Sequence, residues 1–91
     1  MTNTMWGADV QGLHALAKAI TDEGTRVGEQ ATALNSMLEG TPWQGPDADA
    51  FKNQEWPTHL TALKSAADAL QLAGAAAERN ATAQEQASQG S

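Results

Sequence analysis

Two histidines, His14 and His59, and two near-adjacent acids, Asp47 and Asp49, are the side chains whose chemistry could reach beyond packing. A metal centre needs three or four ligands gathered into one cluster. The chain contains no cysteine, and its two histidines stand far apart. In the heptad frame set out below, His14 takes an e position and His59 a g position, where polar side chains border water. Asp47 and Asp49 lack the remaining ligands of a calcium loop and any general-base partner. They suit the first turn of a helix, whose dipole favours negative charge. Asn80-Ala81-Thr82 matches a glycosylation acceptor, but Ala81 falls on a packing stripe. No nucleophile–base pair, phosphate loop or metal set is present. The sequence therefore points away from an enzyme and calls for no cofactor.

What remains is the scaffold that must position these groups. Its 91 residues allow one small domain. Eleven acids against five bases give a net charge of −6. That balance argues against nucleic acid and against an anionic membrane surface as partners. The absence of cysteine excludes disulfide frameworks and thiol chemistry. Residues 1–13, MTNTMWGADVQGL, show neither a basic start nor an apolar run of signal-peptide length, so export, if it occurs, is expected without a cleaved signal. No stretch is long and apolar enough to embed in a membrane.

Between Trp6 and Leu38 the apolar and small residues recur at alternating steps of four and three: Trp6, Val10, Leu13, Ala17, Ile20, Gly24, Val27, Ala31, Leu34 and Leu38. This is the a/d spacing of a helix that makes a seam with another helix. Large members alternate with small ones, which predicts interdigitating layers. Asn3 or Thr4 is expected to cap the start, and Gly40 followed by Pro42 to stop the helix. A second stripe repeats the spacing: Trp56, Leu60, Leu63, Ala67, Leu70, Gly74, Ala77 and Ala81. Beside it runs an alanine stripe, Ala62, Ala66, Ala69, Ala73 and Ala76, which one partner helix cannot also cover. Gly24 and Gly28 sit inside the first helix, where each costs about 1 kcal/mol relative to alanine. They mark either a close backbone approach or a bend.

The stretch between the stripes, Thr-Pro-Trp-Gln-Gly-Pro-Asp-Ala-Asp-Ala-Phe (residues 41–51), reads as a turn. Pro46 suits a first helical position with Gly45 as the cap. Trp43, the one large apolar residue in the turn, is expected to fold back against Leu38, Phe51 or Trp56 and close that end. Pro57 predicts a kink or an irregular helix start. After Ala81 the apolar stripe stops and the chain turns polar. The expected architecture is all-α: a helical hairpin over residues 1–86, with helices over about 5–39 and 47–84, a turn at 40–46, and a flexible tail at 85–91. Alanine buries little area, so one seam between two such helices predicts a need for a further partner.

A chain of this length, with two heptad-patterned helices and Trp43-Gln44-Gly45 in a proline-bounded turn, resembles the WXG proteins. These are the Trp-X-Gly, early-secreted-antigen-like substrates of type VII (ESX-like) secretion. The context Pro-Trp-Gln-Gly-Pro-Asp-Ala-Asp-Ala-Phe is similar to the actinobacterial branch. The resemblance implies a hairpin that dimerises into a four-helix bundle and is exported by a membrane ATPase machine. It further implies a non-enzymatic virulence factor or carrier, paired with itself, with another WXG hairpin, or with a larger toxin. Family members carry a Tyr-x-x-x-Asp/Glu export signal after the second helix. This chain has no tyrosine: the partner supplies the signal, another signal serves, or the chain is not itself a substrate.

The bundle seam on this reading comprises Val10, Leu13, Ala17, Ile20, Gly24, Val27, Leu34, Leu60, Leu63, Ala67, Leu70 and Gly74. Trp6, Ala62, Ala66, Ala69 and Ala73 are candidate interface anchors, and Trp43 and Gly45 form the turn motif. The rival expectation is an intracellular helical adaptor or structural bundle subunit that is never exported.

Overall fold

A computed structural model describes residues 9–90. The described residues are all-α, 92% of them helical. Helix α1 spans Val10–Gly40, a short α2 spans Pro46–Ala50, a π-helical turn spans Phe51–Glu55, and α3 spans Trp56–Gly90.

Helix α1 starts where a carboxylate can satisfy its free N–H groups. Asp9 is extended (ψ 99°), and its Oδ1 accepts from the Gly12 N–H at 3.1 Å. Among the described residues the helix begins at Val10. The caps expected at Asn3 and Thr4, and the anchor expected at Trp6, lie outside the described residues. At the other end the Thr41 N–H donates to the Leu38 carbonyl, 3.2 Å away, and its hydroxyl to that of Met37, 2.6 Å away.

The elbow follows the expected chemistry. Gly45 has φ 118°, a backbone conformation open to glycine, and Pro46 takes the first helical position. Asp47 and Asp49 occupy the first turn. The next five residues widen into a π-turn, in which the Trp56 N–H bonds the Phe51 carbonyl. Proline at position 57 explains the location. In an α-helix its ring would press on the carbonyl four residues back, at Asn53, and the extra residue in the preceding turn makes room. The regular helix resumes at Trp56. Phe51 stacks on Trp56 with centroids 6.3 Å apart and planes 21° apart. Trp43 continues the series, 5.5 Å from Phe51, with 38% of its surface exposed. It leans on the elbow more than it plugs it.

Helix α3 runs to Gly90 and includes residues 85–90, which the sequence assigns to a tail. Ala, Glu and Gln propagate a helix without a stripe to bury.

The two long helices lie side by side and antiparallel, as the cross-helix pairs His14–Glu78, Thr21–Gln71 and Asn35–Trp56 establish. Their line of contact is built from the smallest residues. Ala17, Gly24 and Ala31 are buried on α1, and Ala67, Gly74 and Ala81 on α3. Every fully buried apolar side chain among the described residues is an alanine: Ala17, Ala31, Ala48, Ala67 and Ala81. The large stripe members do not interdigitate at the centre, as alternation predicts. Val10, Leu13, Ile20, Val27, Leu60, Leu63 and Leu70 are half-buried along the edges, and Leu34 is 47% exposed. Small residues let the axes approach closely, and a close approach pushes large side chains outward. The result is a rod of 67 × 18 × 17 Å. Its radius of gyration is 20.2 Å, against about 12 Å for a compact chain of this length.

The glycines divide cleanly. A Cβ on Gly74 would strike the Thr21 hydroxyl and meet the Thr21 nitrogen at 3.0 Å. On Gly24 it would come within 3.0 Å of the Ala67 carbonyl. On Gly28 it would find only the Ala67 Cβ, at an ordinary 3.7 Å. Gly24→Ala and Gly74→Ala are each expected to destabilise by about 1–3 kcal/mol. Gly28→Ala should stabilise by about 0.5–1 kcal/mol through helix propensity alone. Urea melts of the three variants check this contrast. Trp43→Ala, which removes a partly covered ring, should cost about 1–2 kcal/mol in the same assay, well below the roughly 3–5 of a buried aromatic.

Candidate functional site

The helix pair has two unlike long sides, set by which residues flank the buried line. On α1 the positions just to one side are His14, Thr21, Gly28 and Asn35; just to the other are Leu13, Ile20, Val27 and Leu34. On α3 the corresponding rows are Lys64, Gln71, Glu78 and Glu85 against Trp56, Leu63, Leu70 and Ala77. The polar rows meet at His14–Glu78 and Thr21–Gln71, which puts the leucine rows together on the other side, while at the elbow the Trp56 ring reaches the polar-row Asn35.

Gln71 organises the polar side. Its Nε2 donates to the Thr21 carbonyl at 3.0 Å and to the Thr25 hydroxyl at 3.1 Å. Shallow grooves lie on either side of it. One is lined by Gly24, Thr25, Gly28, Thr32, Ala67 and Asp68, the other by Ala17, Lys18, Thr21, Gly74 and Glu78. Both are open, and Lys18 is paired with Asp22 at 2.6 Å.

At the end of the rod away from the elbow, His14 bridges two acids of α3. Its Nδ1 lies 2.9 Å from one Glu78 oxygen and 3.0 Å from the other, and its Nε2 lies 3.6 Å from Glu85. The hydrogen bond to Glu78, with the charges of both carboxylates, holds the imidazole pKa above its ordinary 6.5. His59 is exposed on α3. Among the described residues no group of three or more His, Cys, Asp or Glu side chains could hold a metal ion. No described helix is long and apolar enough to cross a membrane.

The apolar side carries the surface that folding leaves uncovered. Leu16 (51% exposed), Leu34 and Met37 (66%) stand along its α1 edge. Ala62, Ala66, Ala69 and Ala73 are all exposed on α3, so the alanine stripe lies outside the seam it borders. Leu72, at 73%, faces away from both rows. At the elbow, the Trp56 Nε1–H donates to Asn35 Oδ1 at 2.8 Å, and Lys52 donates to the Trp43 carbonyl at 2.7 Å. Sequence reading named the stripe residues and the alanine row and did not single out Leu16, Met37 or Gln71. Leu16 and Met37 sit one step outside the a/d stripe, and the Gln71 amide pairs with a backbone carbonyl on the opposite helix.

Comparison with family models, with characterised proteins and with solved structures finds no match to the chain.

The His14 bridge predicts a pH dependence with a definite sign. Its folded pKa is raised, so its contribution is complete below 6.5 and fades as pH rises through the raised value. The melting temperature should therefore fall between about pH 5.5 and pH 8.5, and His14→Gln should flatten that slope.

Proposed function

We propose that the chain is a small secreted WXG-type protein of a type VII secretion system, acting as a non-enzymatic partner or carrier by helical-bundle pairing. The observation that carries the reading is the elbow. Trp43-Gln44-Gly45 sits where one long helix ends and the next begins, with Gly45 at φ 118° and Pro46 opening the helix. On this reading the antiparallel helices are a hairpin of the family type, and their uncovered leucine and alanine side is the bundle face. The partner is a second hairpin, alike or different, and the membrane ATPase machinery recognises the pair. Trp43 stands partly free at the tip.

The missing tyrosine favours a second reading. Without a Tyr-x-x-x-Asp/Glu signal, the same surface serves an intracellular adaptor or structural bundle subunit. In the secretion reading the partner supplies the signal.

Export decides between them. The chain is expected in culture medium with its N-terminus uncleaved, and it should disappear from the medium when the type VII ATPase gene is deleted. Retention in the cytosol of wild-type cells overturns the secretion reading and supports the adaptor.

A further inference from the structure

We infer that His14 is a proton-operated clasp on the free end of the rod: charged, it ties α1 to α3 there, and neutral, it lets the last turns of α3 part from α1 while the rest of the pair stays closed. The inference goes beyond pairing and export and needs neither.

Topology gives the first reason. One end of the helix pair is closed by the chain itself, at the elbow, where Trp43, Phe51 and Trp56 pack together. The other end is held by side chains alone. There α1 begins at Val10, whereas α3 continues to Gly90. The register that sets His14 beside Glu78 and Thr21 beside Gln71 brings Val10 to the level of Thr82. The α3 residues beyond that lie past the described part of α1. The seam at this end buries only Ala17, Gly74 and Ala81. Local opening starts where few buried apolar contacts hold a segment.

Chemistry gives the second reason. Three polar ties cross between the long helices, in order from the elbow: Trp56 to Asn35, Gln71 to Thr21 and Thr25, and His14 to Glu78 and Glu85. The first two contain no titratable group. The third is the one ion-paired tie between helices among the described residues, since Lys18–Asp22 and Arg26–Glu23 lie within α1. Both ring nitrogens face carboxylates, Nδ1 towards Glu78 at 2.9 Å and Nε2 towards Glu85 at 3.6 Å. An imidazolium has an N–H for each acid. A neutral ring has only one, and turns a lone pair on the other carboxylate. Glu78 and Glu85 stand about two turns apart on α3, so a ring held by both pins that stretch to α1.

The other charged groups around the clasp are already engaged or turned to water. On α1, Asp9 caps the Gly12 N–H, and Lys18 is held by Asp22 at 2.6 Å. On α3, Arg79 beside Glu78 is exposed. Histidine is the one side-chain type here whose ordinary range spans neutral pH. The two acids hold the imidazole pKa above 6.5. The clasp is therefore shut below that value and opens as pH rises through the raised one.

Amide hydrogen exchange on the full chain, corrected for the intrinsic pH dependence of exchange, tests this at about pH 6 and pH 8.5. Raising the pH is expected to lower protection by about two- to fivefold over residues 75–85, and to leave residues 24–35 and 56–71 as they were. His14→Gln should show the lower protection at both pH values. His14→Lys, charged throughout, should keep the higher protection at both. His59→Gln, changed near the elbow, should respond as the unaltered chain does. Helicity is followed by circular dichroism, and His14→Lys alone decides should His14→Gln unfold. The inference is overturned by a free end whose protection ignores pH, or by a loss spread evenly along both helices. It is equally overturned by a response that survives in His14→Gln or in His14→Lys.

Discussion

The close approach of α1 and α3 along a line of alanine and glycine is the constraint from which the other features follow. Helix pairs separate by roughly 8–10 Å according to the side chains between them, and Ala17, Gly24 and Ala31 against Ala67, Gly74 and Ala81 let these two approach so closely that a Cβ on Gly24 would come within 3.0 Å of the Ala67 carbonyl. At that spacing no leucine fits between the axes, so Leu13, Ile20, Leu63 and Leu70 turn to one edge, half covered. The same proximity lets Gln71 reach the main-chain carbonyl of Thr21 and lets His14 span to Glu78. Polar cross-helix bonds and a thin core thus have one cause.

The elbow has its own logic. Pro57 strains an ordinary α-turn before it, and the π-turn there relieves the clash while Phe51 stacks on Trp56. Trp43 then finds an aromatic surface to lean on, and the Trp56 ring nitrogen is left pointing at Asn35 near the end of α1. A residue that weakens a helix locally here fixes how the two long helices meet.

Much of this was legible in the sequence, for identifiable reasons. Steps of four and three name the residues of a seam whatever their size, so the stripes on both helices were visible. Gly45 and Pro46 carry their turn chemistry in their covalent structure. The identity of the central residues was hidden, because Leu13 and Ala17 belong to the same stripe and hydrophobicity weighs the larger. Only the inter-axial distance decides which is buried, and that is a property of two helices together. Asp9 was overlooked as a cap because Trp6 continues the stripe upstream of it. The helix beyond residue 84 was obscured because Gln and Ser suggest a tail, although Glu, Gln and Ala hold a helix by propensity alone. The His14 bridge needs α3 in place before its partners exist.

The thin core and the uncovered side are two readings of one choice. Leucines at Ala17, Gly24 and Ala31 would enlarge the core of the single chain. They would also force the helices apart, stretch the Gln71–Thr21 bond beyond reach and separate His14 from Glu78. The edge leucines would then drop into the widened gap, and the apolar side would lose its relief. Small residues at the centre instead keep apolar surface at the edge, half covered by the single chain. On the proposed bundle reading, stability withheld from the isolated chain is what an assembly would supply.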